Sequence, residues 1–277
     1  MPNPIQLSDR TMTDSPALLR SRTRAARAPM PTFLHDAAAI ELKQRIGEIN
    51  RDFRHIAIVT GWPDIWGRQW QAAETVADSD LIAFARKNYD LIVHAMSLHW
   101  SNDPVGQLIQ CRRVLKPDGI VIACLLGGET LYELRSAIAT AELLLRGGAS
   151  PRVAPMGDIR DLGGLLQRAG LALPVADRMR ITASYGSSRE LMFDLRAMGE
   201  TNALARRSRK FATKALFEET ESSYLSSFGL PDGRIPATFD LIFLTGWAPS
   251  ENQQRALKPG SAAARLSDAL STVERKL

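Results

Sequence analysis

Cysteine, histidine and long apolar runs are scarce in this sequence. Its 277 residues include two cysteines and four histidines. Cys111 and Cys124 have neither redox nor zinc-ligand spacing. The histidines form no HxxxH or HxE pattern, so no metal site is expected. Cys124 stands in an apolar run, where a buried, reduced thiol is the ordinary state. That usage fits a reducing compartment, either bacterial cytoplasm or, as the alternative, an organelle matrix. No run approaches the roughly 18–20 apolar residues of a membrane helix, so no integral membrane segment is expected. The first thirty residues have no apolar stretch for secretion. They carry Arg20, Arg22, Arg24 and Arg27 with no acid after Asp14. They read as a loose basic extension of a cytoplasmic protein, with an organelle targeting peptide as the alternative.

What is present is ordinary globular material, 45% hydrophobic and 23% charged, with a net charge of +5. The densest basic run is Arg206, Arg207, Arg209 and Lys210 beside Phe211. It reads as a solvated helix face, and no nucleic-acid partner is expected. Apolar spacing predicts a helix over residues 36–50, a short strand at 55–63 and a helix over 68–77. YDLIVHAMSLHW (residues 89–100) opens as a strand buried on both faces. SNDP then offers a cap and a first-turn proline, and residues 105–115 have helical spacing. LKPDG (residues 115–119) is a turn in which Gly119 is expected to take positive φ. IVIACLL (residues 120–126) is a second buried strand. Strand, helix and strand in this order make a βαβ unit, hence a parallel sheet. Helices follow over 129–146 and 158–169, a strand within 172–185, a charged helical block over 187–228 and a closing strand over 237–249.

These residues carry a family resemblance. A buried strand, SLHW-ND, a helix, LKPDG and a second buried strand together resemble the second half of class I S-adenosylmethionine (SAM)-dependent methyltransferases of the type 11 group. Within that group LRAMGETNAL (residues 195–204) and the final GW strand with its KPGSA tail resemble the complex I assembly-factor branch. The biotin-pathway malonyl-carrier-protein methyltransferases are the neighbouring branch. The resemblance implies an α/β fold: a reduced, Rossmann-like doubly wound sheet with a helical cap at about 187–228. The domain is expected over 31–249, between a flexible basic segment (1–30) and a polar tail (250–277). Ile56–Val59, residues 91–95 and residues 120–125 are expected as parallel inner strands, with 237–245 antiparallel near an edge.

The resemblance also implies where SAM would lie, and there the residues depart from the family. The glycine-rich loop after the first strand lets backbone approach the cofactor without Cβ clashes. Here that stretch reads IAIVTGWPDIWG, with Thr60, Trp62 and Asp64 at glycine positions and Gly61 alone retained. The stretch from Ile58 to Tyr89 has room for one crossover, since a βαβ unit takes about 30 residues. The second strand, whose terminal carboxylate would grip the ribose, is expected to be missing. Asp78 and Asp80 are then a remnant of the third strand's end. Trp62 is expected in or beside the vacated cleft, with Trp66 and Trp70 on one helix face, filling space or serving as core. His99, at a strand's carboxyl end, is a candidate pocket residue, whereas His94 reads as a core histidine and Glu129 as a helix N-terminal acid. The remodelled cleft is thus expected to involve Gly61, Trp62, Asp78 and His99, with no catalytic residue assigned. No cofactor is expected, and the partner is expected to be another protein, as for an assembly or scaffold factor. The alternative is an active SAM-dependent methyltransferase acting on a carrier or other protein.

Overall fold

The computed structural model describes residues 11–253; the readings for residues 1–10 and 254–277 lie outside them. Six strands form one sheet: β1 (Ile56–Thr60), β2 (Glu74–Ala77), β3 (Tyr89–Ala95), β4 (Leu115–Gly127), β5 (Ala172–Tyr185) and β6 (Ile235–Trp247). Their order is β2-β1-β3-β4-β6-β5. The first four are parallel, and β6 runs antiparallel to both β4 and β5. The helices are α1 (Ser15–Ala25), α2 (Phe33–Glu48), α3 (Pro63–Gln69), α4 (Pro104–Val114), α5 (Tyr132–Arg146), α6 (Ile159–Arg168), α7 (Ser188–Ala197) and α8 (Lys214–Phe228). None among the described residues is long and apolar enough to cross a membrane.

Side-chain alternation along the buried strands builds a core on each face. Ile58, Leu91, Val93, Ile120 and Ile122 point to the face covered by Leu34, Ala38 and Leu42 of α2 and by Leu134 and Ala137 of α5. Ala57, Val59, Ile92, Val121 and Ala123 point to the opposite face, against Leu108 and Cys111 of α4 and Leu166 of α6. This is the reduced doubly wound sheet expected from the strand pattern, with α7 and α8 as the cap. Both thiols are free and buried, and burial pushes the Cys111 thiol up to about 12.

Four local expectations are corrected. The described part of the basic N-terminal segment is not loose: Asp14 caps α1 by accepting the Ala17 N–H at 3.0 Å, and Ala17, Leu18, Ser21 and Ala25 are buried. The helix expected over 68–77 is instead α3, starting at Pro63, followed by β2. The basic run from Arg206 to Phe211 is irregular chain rather than a helix face, with Arg207 and Arg209 both pairing with Asp14. In LKPDG the left-handed residue is Asp118, at φ 64°, not Gly119. A Cβ on Gly119 would lie 2.9 Å from the Lys116 carbonyl oxygen, so close approach is what demands glycine there.

His94 sits fully buried on β3, with Nε2 2.8 Å from the Gln107 carboxamide oxygen. His35 on α2 is also buried, its Nδ1 accepting the Trp66 indole N–H at 3.1 Å. Burial lowers both imidazoles from 6.5 to about 4. As pH falls below 6.5 the unfolded chain therefore takes up protons that the folded chain refuses. The stability conferred by neutral burial is complete above pH 6.5 and declines towards pH 4, by about 3 kcal/mol per histidine at the limit. Urea denaturation at a series of pH values is expected to show this fall, and His94→Asn is expected to reduce its slope.

Candidate functional site

The carboxyl ends of β1, β2, β3 and β4 open on one edge of the sheet. Between β1 and β3 the strand order reverses, which is where open α/β sheets place ligands. β1 ends at Thr60, whose hydroxyl accepts the Trp62 N–H at 3.1 Å. Gly61 lies between them. A Cβ built there would stand 2.2 Å from Nη1 of Arg22, so the guanidinium of α1 occupies the space over the loop. Nη1 donates to both carboxylate oxygens of Asp78, at 3.0 and 2.8 Å. The two side chains are only 11% and 15% exposed. Arg22 Nε and Nη2 are buried with no hydrogen-bond partner.

Asp78 follows β2 directly, and β2 pairs in parallel with β1 from Ala57↔Glu74 to Thr60↔Ala77. In a doubly wound order of 3-2-1-4-5-6 the place beside the first strand belongs to the second. That place is therefore filled, and among the described residues no strand lies outside it. Asp78 follows the carboxyl end of the strand in that place, where a nucleotide's ribose is gripped in such folds. Asp80 is exposed.

Trp62 is 6% exposed at the start of α3. Its ring rests on Gly199, where a Cβ would lie 2.6 Å away and φ is +75°. Trp66 and Trp70 stack at 5.7 Å, with Trp66 bonded to α2, so they are core rather than cleft residues. His99 lies in the turn Leu98–Trp100 after β3. Its Nε2 is 3.3 Å from a Glu200 carboxylate oxygen that also accepts the Trp100 indole N–H at 2.7 Å. Burial alone would raise the Glu200 carboxyl, but His99, Arg22 and that indole N–H hold it below its ordinary value. Glu129 is not a helix residue: it lies in the turn before α5 and pairs with Arg180, which also holds the buried Asp240 at 2.8 Å.

Gly61, Trp62 and Asp78 are thus gathered around Arg22, and His99 joins them through the Gly199–Glu200 corner. Arg22 and Glu200 were missed by sequence reasoning, although both lay in stretches singled out for other reasons. The segment from Leu195 to Leu204 holds α1 in place. Thr201 and Ser21 hydroxyls meet at 2.5 Å, and the Ala203 carbonyl accepts the Asp14 N–H at 2.7 Å. Among the described residues no group of three His, Cys, Asp or Glu side chains is arranged to hold a metal ion.

The profile of a family described as "Methyltransferase domain" matches residues 63–123, from the start of α3 to the middle of β4. The chain is similar to the mitochondrial arginine-hydroxylase NDUFAF5 of Danio rerio, with 37% identity over 199 residues covering 70% of this chain and 60% of that protein. The human protein of the same name is 32% identical over 279 residues, covering 88% of this chain and 79% of its own length. The malonyl-[acyl-carrier protein] O-methyltransferase of Laribacter hongkongensis is 34% identical over 184 residues, covering 66% and 59%. With this fold and these relatives, the chain belongs to the class I SAM-dependent methyltransferase-like family. It spans about 60% of the length of the zebrafish and Laribacter proteins.

The packing of Trp62 on Gly199 gives a direct test. Gly199→Ala adds a methyl group against the indole at a left-handed backbone position, and is expected to cost roughly 2–4 kcal/mol in urea denaturation. Adding Trp62→Leu is expected to recover the steric part and leave the backbone part.

Proposed function

We propose that this chain is a protein-binding factor on a methyltransferase fold, of the kind that assists assembly of a respiratory complex, and that it works without SAM. The observation that carries this is the Arg22–Asp78 ion pair in the cleft. The residues, as arranged, do not fit SAM. The carboxylate at the ribose position is already bonded to Arg22, and the space above Gly61 holds the same guanidinium. Entry of the cofactor requires separating a nearly buried ion pair, which costs about 3–5 kcal/mol. That lowers affinity by about two to four decades before any clash with Trp62 is counted.

The partner in this reading is another protein, and the compartment bacterial cytoplasm or an organelle matrix. Relatives named for arginine hydroxylation and for methylation of a malonyl group on acyl-carrier protein show that this family hosts more than one chemistry, so the fold alone selects none.

A second reading, a methyltransferase acting on a protein, is favoured by one observation. Asp78 still stands where a ribose-binding carboxylate belongs, available once α1 withdraws. The two readings part in calorimetry. SAM titrated to millimolar concentration into the protein is expected to give no saturable heat, and micromolar saturation would establish the second reading instead. Arg22→Ala empties the space over Gly61 and releases Asp78; it is expected to strengthen whatever SAM binding exists by tenfold or more.

A further inference from the structure

The carboxyl edge of β3 and β4 has a second opening, which the closed cleft leaves free. It is a cavity of about 590 Å³ between the start of α4 and the inner face of α6, within the size range of small-molecule sites. Its walls are chiefly apolar, with Leu98, Leu125, Leu126, Met156, Leu162 and Leu165 among the lining residues. Neither Arg22 nor Asp78 nor Gly61 lines it, so it opens separately from the space that the ion pair fills.

Two polar features mark its ends. One is His99, whose side chain is 5% exposed. Glu200 engages Nε2 at 3.3 Å and so fixes the ring, while Nδ1 is buried and has no hydrogen-bond partner. A buried ring nitrogen without a partner is uncommon because its desolvation is uncompensated. The other feature is a pair of exposed cations, Arg160 and Arg168 on α6, set against a single lining carboxylate, Asp161. The difference in exposure puts His99 at the closed end and the arginines at the mouth.

We propose that this cavity binds an amphipathic acid: an anionic group at Arg160 and Arg168, an apolar body along the leucines, and a hydroxyl at its far end that donates to His99 Nδ1. Each part of the ligand answers one feature. The guanidinia favour an anion, the walls favour hydrocarbon, and the orphaned nitrogen, the accepting one while Nε2–H is held by Glu200, calls for a hydroxyl that donates to it. Glu200 acts as a positioning residue, presenting Nδ1 by holding Nε2.

The test uses the full chain with ω-hydroxydecanoate, decanoate and decylamine as probes, each below its micelle-forming concentration. Calorimetry is expected to show saturable binding of the hydroxy acid, about tenfold weaker binding of decanoate and none of decylamine. In histidine-labelled protein the ring nitrogen resonances of His99 are expected to move with the hydroxy acid and stay with decanoate. Arg160→Ala with Arg168→Ala is expected to weaken both acids by tenfold or more. The resonance shift in unmodified protein serves if His99→Gln fails to fold; if it folds, it is expected to bring the hydroxy acid down to the affinity of decanoate. No saturable binding of the hydroxy acid overturns the site. Binding of decylamine as tight as that of the acids, or acid binding insensitive to both arginines, overturns the anionic end. Equal affinity for decanoate and the hydroxy acid, or an unmoved His99, overturns the hydrogen-bonding end. None of these outcomes depends on whether SAM binds.

Discussion

The architecture around the cleft depends on one ion pair. Arg22 and Asp78 are both largely withdrawn from water, and a buried charge without its partner is several kcal/mol less stable than the pair. The pair therefore fixes α1 to the end of β2, across a sequence separation that no local preference bridges. Because Asp78 follows the outermost of the parallel strands, the contact also ties that short strand, only four residues long, to the rest of the molecule. The Asp14 cap, the Ser21–Thr201 contact and the ion pairs from Arg207 and Arg209 all hold the same helix in the same seat.

That seat explains the altered loop. In a cofactor-binding relative, glycines after the first strand let the ligand approach the backbone. Here one position still faces a close approach, and it is the one where glycine remains: Gly61, with the Arg22 guanidinium upon it. Trp62 occupies the neighbouring volume, and its ring makes a close approach of its own to Gly199, in the segment that packs over it. At both glycines it is the protein's own side chains that approach the backbone.

The same segment joins the closed cleft to the open edge. Gly199 receives Trp62, Glu200 engages His99 and Trp100, Thr201 meets α1, and Glu200 and Thr201 also border an apolar cavity of about 340 Å³ against α5, α7 and α8. A turn of a few residues thus couples the cap, the N-terminal helix and both strand ends at the site.

Much of the fold was legible from the amino-acid order. β1, β3, β4 and β6 announce themselves because strands buried on both faces need continuous apolar residues, and α4 because Asp103 and Pro104 begin it with side-chain chemistry of their own. The short parallel β2 was not legible. Glu74–Ala77 buries only Val76, so four residues gave no period, and its place beside β1 follows from a crossover direction set by packing. Gly61, Trp62 and Asp78 were legible as departures from or remnants of a pattern, because their residue types conflict or agree with a known loop chemistry. Arg22 was one arginine among four, and only its burial against Asp78 distinguishes it from Arg20, Arg24 and Arg27. The sequence by itself determined the sheet, its faces and the loss of a glycine-rich loop, since these depend on local spacing and side-chain volume. Tertiary structure alone decided which charge fills the cleft, because that choice belongs to residues 56 positions apart, brought together by the burial of α1.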